Sequence, residues 1–206
     1  MRKLGLFGGS FNPPHKGHEH LAKVLHEALN LDEVILIPAK KPPHKSDAEY
    51  ASAEDRLKMC QLMAENYDWL RTDDYELLQE RVSYSYYTIR HFKKLYPEEK
   101  FYFLAGGDML SSFTEWFRWQ EILEMTALAC IAREQDEYQK LLPYAEKLRQ
   151  NGEIFLVNAD IFTVSSTKIR DIIRKNQNSS CYLSEKIVKY IREKNLYTGS
   201  DSVCIK

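Results

Sequence analysis

Short apolar runs alternate with helical spacings along almost the whole chain. Leu4-Gly5-Leu6-Phe7 has the character of a buried strand and stops at Gly8-Gly9. From Gly17 onward Leu21, Val24, Leu25, Ala28 and Leu29 recur at the spacing of one helix face. Val34-Ile35-Leu36-Ile37, ended by Pro38, is apolar at every position, as in a parallel strand covered on both faces. Residues 39–50 are polar, contain Pro42-Pro43 and read as a loop. Ser52 followed by Asp55 resembles a capping box and predicts a helix with Leu57, Cys60 and Met63 on one side. A weaker strand is predicted over about residues 69–77, then a helix marked by Tyr87, Phe92 and Leu95 that stops near Pro97. Phe101-Tyr102-Phe103-Leu104-Ala105 is a clear strand and runs straight into Gly106-Gly107. Residues 127–132 and 154–157 supply two more strands, and residues 139–150, 167–175 and 184–194 read as helices.

Strand and helix in alternation imply βαβ units with right-handed crossovers, hence an α/β doubly wound parallel sheet. With no repeat, low-complexity tract or linker, residues 1–206 are expected to form one domain, with a C-terminal helical segment at about 165–197 packed on the sheet. Ligands of such sheets sit beyond the carboxyl ends of the strands. That rule selects the segments after Phe7, Ile37 and Ala105.

Composition narrows the class without touching the chemistry. The 206 residues are 44% hydrophobic and 29% charged, the balance of a globular protein rather than a disordered one. Lys and Arg number 29 against 30 Asp and Glu, so no global field favours a nucleic-acid partner. The longest uncharged apolar stretch, residues 125–132, is too short to cross a bilayer, and no membrane partner is expected. Met1-Arg2-Lys3 is basic, but Gly8-Gly9 breaks the apolar run that a signal peptide needs. Cys60, Cys130, Cys181 and Cys204 lie far apart, which points to a reducing, cytoplasmic setting.

The first ligand-edge segment is Gly8-Gly9-Ser10-Phe11-Asn12-Pro13-Pro14-His15-Lys16-Gly17-His18. Glycines after a strand let backbone N–H groups approach a phosphate, and the helix that follows presents the positive end of its dipole. The segment is neither a dinucleotide fingerprint nor a Walker loop. It ends instead in two histidines one helical turn apart, whose imidazoles can donate to phosphate oxygens and to a charged transition state. A helix cap and a solvated ring would be the ordinary use of such a pair. With His20 the histidines also suggest a zinc cluster, but no acidic or cysteine ligand set stands out, and no metal is assigned to protein side chains.

Lys40-Lys41-Pro42-Pro43-His44-Lys45 gathers potential cations on the loop after the second strand, where an anion clamp suits the position better than a solvated charge run. Ala105-Gly106-Gly107-Asp108 brings a carboxylate to the third edge, for a ribose or an adenine amine or simply as a helix N-cap. Late in the chain, Val164-Ser165-Ser166-Thr167-Lys168-Ile169-Arg170 clusters hydroxyls at a helix start with an arginine one turn on. One cap explains one hydroxyl, not three and an arginine.

Together, Gly9-Ser10-Phe11-Asn12-Pro13-Pro14-His15-Lys16-Gly17-His18 and Ser165-Ser166-Thr167-Lys168-Ile169-Arg170 resemble the nucleotidyltransferase superfamily marked by His-x-Gly-His and Ser-Ser/Thr-Thr-x-Ile-Arg. The Pro-Pro-His-Lys segment, Gly-Gly-Asp-Met-Leu and Trp116 narrow the resemblance to bacterial nicotinate-nucleotide adenylyltransferases, over nearly the whole chain. Asn12 stands where that family more often has aspartate, and Gly107 where alanine is common.

The resemblance implies a Rossmann-like nucleotidyltransferase fold and direct in-line transfer of AMP from ATP, with Mg²⁺, to nicotinate mononucleotide. Deamido-NAD and pyrophosphate would be the products, in NAD biosynthesis. It implies His15, His18, Lys45 and Arg170 as catalytic groups, and Gly8, Gly9, Ser10, Phe11, Gly106, Asp108, Ser165, Ser166 and Thr167 around ATP. Thr88, Trp116 and Asn12 would meet the nicotinate nucleotide, Trp116 by stacking. Tyr84, Tyr86 and Tyr87 are assigned mostly to helix packing, and Trp119 to the core. The alternatives are an adenylyltransferase for nicotinamide mononucleotide or phosphopantetheine, or a non-catalytic nucleotide-binding module. Assembly into a homo-oligomer is left open.

Overall fold

The computed structural model describes residues 1–40, 50–132, 135–160, 162 and 164–198. Lys41, Pro42, Pro43, His44 and Lys45 lie outside the described residues. Six strands form one sheet: β1 (Lys3–Gly9), β2 (Glu33–Pro38), β3 (Leu70–Thr72), β4 (Lys100–Gly106), β5 (Ala127–Ala132) and β6 (Ile154–Asn158). Their order is β3-β2-β1-β4-β5-β6, and every pairing is parallel. The chain winds outward from β1 to β3, then returns to the other side of β1 and winds outward again. The point where it reverses lies between β1 and β4, and sheets of this kind bind ligands beyond the carboxyl ends of the strands at that point.

The alternation of strand side chains explains the two layers. Phe7, Val34, Leu36, Tyr102, Leu104, Ala129 and Ile131 face α1 (Lys16–Leu29), α2 (Ala53–Ala64), α7 (Ser166–Arg174) and α8 (Glu185–Glu193) in one buried cluster. Leu4, Leu6, Ile35, Ile37, Phe101, Phe103, Leu128 and Cys130 face α3 (Ser85–Leu95), α4 (Gly107–Ser112), α5 (Trp119–Met125) and α6 (Gln135–Leu148) in the other. Every residue of β5 is buried, as a central strand covered on both faces must be. The sheet is thus doubly wound, as the alternating pattern implies. Ile169, Ile187, Val188 and Ile191 tie the last two helices into the same cluster as α1 and α2.

Ser52 caps α2 as its spacing predicts, its hydroxyl accepting from Asp55 N–H at 3.0 Å, a bond worth about 1 kcal/mol. The buried face of that helix differs from the predicted one. Arg56 and Met59 join Cys60 and Met63 inside, while Leu57 is half-buried. The strand expected over residues 69–77 shrinks to the three residues of β3, because Asp73 turns the chain by accepting from Tyr75 N–H at 2.9 Å. Helix α6 begins four residues before its predicted start and carries Pro143 inside it.

Candidate active site

Strand β1 delivers the first segment, and its glycines are still strand. Gly8 and Gly9 lie opposite Ile37 and Pro38 of β2, and no described glycine has a positive φ. The left-handed residue is Phe11, at φ 46°, a conformation that costs a non-glycine residue about 1–2 kcal/mol. Burial offsets that strain. The Phe11 ring is 1% exposed and meets the rings of Phe7 and His18 edge-on, at centroid distances of 5.4 and 5.0 Å. A Cβ at Gly9 would come within 3.0 Å of that ring, so the second glycine leaves room for the turn of Phe11 rather than supplying an unusual backbone angle.

His15 is the N-cap of α1, and its backbone N–H donates to Nδ1 of His18 at 3.2 Å. Because Nδ1 accepts, a neutral His18 ring carries its proton on Nε2, which makes Nε2 a donor. The two rings stack at 3.7 Å. Burial lowers the His15 pKa to about 4, so at neutral pH an uncharged ring lies against His18. His20 does not complete a histidine cluster; its Nε2 lies 2.5 Å from the Asp160 carbonyl.

Helix α7 docks onto the turn between β1 and α1 through its cap and first two turns. Ser165 is the N-cap, its hydroxyl accepting from Lys168 N–H at 3.2 Å. Ser166 Oγ donates to the Pro13 carbonyl at 3.0 Å. Arg170 donates through Nη1 to the Asn12 carbonyl at 3.0 Å and through Nη2 to Thr167 Oγ1 at 3.4 Å. The two segments, about 150 residues apart in sequence, therefore share one turn of chain.

Further side chains hold the turn. The Asn12 amide is buried, and its Oδ1 accepts from Ala51 N–H at 3.0 Å and from the Tyr197 hydroxyl at 2.8 Å. A carboxylate could accept both bonds equally well, so this geometry is open to asparagine and aspartate alike. Tyr50 donates to Ser10 Oγ at 3.2 Å. Arg56, buried in α2, reaches the carbonyls of Ser10, Ala39 and Ala51. Asn12 lies in the first motif, whereas Tyr50 and Arg56 stand outside both motifs, although an arginine one helical turn before Cys60 on an apolar face is a usable signal.

The third segment meets the same edge beside β1, since Phe103 of β4 pairs with Leu6. Gly106 is the N-cap of α4 and Asp108 lies exposed in its first turn, so the carboxylate does not serve as the cap. At Gly107 a Cβ would stand 2.6 Å from Leu141 Cδ1 and 2.7 Å from the Ile131 carbonyl, which accounts for glycine there. Trp116 is half-buried after a short 3-10 turn, edge-on to Phe103 at 5.8 Å and tilted against Phe113 at 5.2 Å. Trp119 packs on the same cluster, as expected. Thr88 is buried in α3, and its hydroxyl donates to Glu76 at 2.5 Å. Burial holds that carboxyl above its ordinary range. Glu76, Ser83, Tyr84, Tyr87 and Thr88 line a small cleft at this end of the sheet.

A model of cytidylyltransferase-like proteins matches residues 6–172, from inside β1 to inside α7, and so spans both docked segments. A Clostridium novyi protein named "Probable nicotinate-nucleotide adenylyltransferase" is 33% identical over 96% of this chain and 100% of its own length. One of the same name from Listeria monocytogenes is 35% identical over 95% of this chain and 97% of its own. The chain belongs to the cytidylyltransferase-like family, with the nicotinate-nucleotide adenylyltransferases. Its fold agrees with that of the Plasmodium falciparum nicotinic acid mononucleotide adenylyltransferase complexed with NaAD. That structure has a TM-score of 0.79 and 20% identity, with 96% of this chain and 98% of that one covered.

In this cytidylyltransferase-like chain the donors around the β1 turn are imidazoles, hydroxyls, guanidinium groups and backbone N–H. That set suits phosphate oxygens, not a cation. Among the described residues no group of three or more His, Cys, Asp or Glu side chains is placed to hold a metal ion. These residues therefore do not build a resident magnesium site; the phosphates of a bound nucleotide can supply ligands to such an ion.

Proposed function

We propose that this chain transfers AMP from MgATP to the phosphate of nicotinate mononucleotide, forming deamido-NAD and releasing pyrophosphate. The observation that carries the site reading is the docking of Ser166 and Arg170 on the turn that leads into the stacked His15–His18 pair. The substrate reading rests on the names of full-length relatives. The acceptor phosphate is already anionic and needs no general base. Its oxygen attacks the α-phosphorus of ATP in line, that P–O bond forms as the bond to pyrophosphate breaks, and the pyrophosphate leaves with the electron pair.

What the protein supplies is position and charge stabilisation. His18, whose backbone-bonded Nδ1 leaves the proton on Nε2, stabilises the charge growing on the α-phosphate oxygens. The N-terminus of α1 adds its dipole. Arg170 with Ser166 and Thr167 holds the β- and γ-phosphates, helped by Lys45. Gly106 and Asp108 meet the adenosine; Trp116 stacks on the nicotinate ring and Thr88 orients it. Among the described residues neither Ser10 nor Cys130 is a candidate for a covalent intermediate. Ser10 Oγ is bonded to Tyr50 rather than to a base, and burial pushes the thiol of Cys130 up to about 12. We read residues 1–206 as one domain working in the cytoplasm.

The test is to give purified protein MgATP with nicotinate mononucleotide, its amide, or phosphopantetheine, and to follow pyrophosphate. A higher kcat/KM for the acid is expected. Equal or inverted preference would remove the acid assignment and keep the nucleotidyl transfer; ATP binding with no turnover on any acceptor would leave a nucleotide-binding module.

A further inference from the structure

Among the described residues Arg56 is the one Lys or Arg that is buried, at 2% exposure. A buried guanidinium ordinarily pairs with a carboxylate, because an uncompensated charge is expensive to desolvate. Arg56 makes no ion pair among the described residues. Nη1 donates to the carbonyls of Ala39 at 2.6 Å and Ser10 at 2.8 Å, and Nε donates to Ala51 at 3.3 Å. The Tyr50 ring lies 5.5 Å from its central carbon. Cys60 and Tyr197 also face it, but burial pushes both groups up, so neither is anionic near neutral pH.

The three carbonyls belong to three different places: the exit of β1, the exit of β2 and the approach to α2. Peptide planarity makes this more than a tether. In a trans peptide the N–H points opposite to the C=O, so the Ser10 carbonyl held by Arg56 fixes the direction of the Phe11 N–H. The preceding peptide is fixed likewise, since the Gly9 carbonyl accepts from Ala39 N–H at 2.8 Å. One buried cation thus sets backbone donors in the first segment and leaves a net positive charge beneath them.

We propose that Arg56 is a positioning residue for polyphosphate binding, holding the ends of β1 and β2 in register and leaving its charge to be balanced by the bound phosphates. This rests on the reading above that MgATP and pyrophosphate occupy this edge. Lysine keeps the charge but cannot span three carbonyls on separate segments; methionine keeps the bulk and loses the charge.

The experiment compares wild type, Arg56→Lys, Arg56→Met and the core control Met59→Ala for inorganic pyrophosphate affinity by calorimetry, with melting temperature and turnover on nicotinate mononucleotide alongside. Arg56→Met is expected to bind pyrophosphate about tenfold or more weaker, and Arg56→Lys several-fold weaker. Met59→Ala should melt lower with its affinity unchanged. Wild-type affinity in Arg56→Met, or an equal loss in Met59→Ala, overturns the proposal. Should Arg56→Met fail to fold, Arg56→Lys decides, and wild-type affinity there is equally fatal. Failure of the wild-type protein to use nicotinate mononucleotide while these affinity losses persist would strike only the acceptor assignment. Failure of the wild type to bind pyrophosphate would overturn both.

Discussion

The edge beyond β1 and the edge beyond β4 belong to one sheet but are built by different means. Beyond β1, nearly every polar side chain is tied to backbone: His18 to the His15 N–H, Ser166 to the Pro13 carbonyl, Arg170 to the Asn12 carbonyl, Asn12 to the Ala51 N–H. Beyond β4 the contacts run ring to ring, with Tyr84 and Phe117 each more than a third exposed and Trp116 edge-on to Phe103. Backbone-tied groups hold one geometry, as transfer between phosphates needs. Aromatic surfaces bring area and shape, which suits recognition of a flat acceptor. We propose that the first edge carries the chemistry and the second the choice of acceptor, so that substitutions at the two should separate kcat from KM.

The largest effect should come from His18→Ala, with kcat down about 10²–10³-fold, as for loss of one transition-state donor. ATP binding should change far less, because the backbone donors and the helix dipole remain. Steady-state kinetics with an ATP titration checks this, and near-normal turnover would leave His18 a cap partner and nothing more.

The next test asks whether His15 is buried neutral. Its folded pKa lies near 4 against an ordinary 6.5, so protons bind the unfolded chain more strongly between those values. Its contribution to stability is full above pH 6.5 and is lost as pH falls toward 4. By pH 5 the loss should be about 2 kcal/mol. Burial lowers His26 and His91 as well, so wild type must be compared with His15→Asn. Denaturant unfolding at pH 7.5 and pH 5 should show a steeper fall in the wild type; parallel slopes would mean that His15 titrates normally.

Arg170→Ala should weaken pyrophosphate as a product inhibitor about tenfold, the worth of one charge-assisted contact. Lysine should restore only part, because one amine cannot replace a fork that spans the Asn12 carbonyl and Thr167 Oγ1. Inhibition constants for the two variants settle it, and an unchanged value in both removes Arg170 from the pyrophosphate side.

The same contrast decides what the sequence could disclose. Helical spacing puts His15 and His18 one turn apart, and the Ser165 cap sits before its helix, so both motifs are legible as residue types at fixed intervals. The doubly wound sheet is legible because buried parallel strands are apolar throughout, as β2 and β5 are. Strand β3 is not, since only three residues pair before Asp73 turns the chain. Arg56, and the bonds that Asn12 makes, escape for another reason. Their partners are main-chain groups and a tyrosine 185 residues away, which no local pattern records. A carbonyl has no letter in the sequence.

The smallest effect, and the one that most sharpens the comparison, concerns Trp116. The ring is half-buried against Phe103 and Phe113, so part of it serves the core and part remains to meet a ligand. Stacking on an electron-poor nicotinate ring is worth about 1 kcal/mol beyond burial, which is about a fivefold change in binding. Trp116→Ala should raise KM for nicotinate mononucleotide by about that factor or more and leave KM for ATP nearly unchanged. Because the two phenylalanines lose a neighbour, the melting temperature must be measured first, and Trp116→Phe made beside it to restore packing and part of the stack. A selective rise in the acceptor constant, partly recovered by phenylalanine, places Trp116 at the acceptor edge. If both constants move together, or only the melting temperature falls, the ring belongs to the core, and acceptor choice must be sought in the cleft around Glu76 and Thr88.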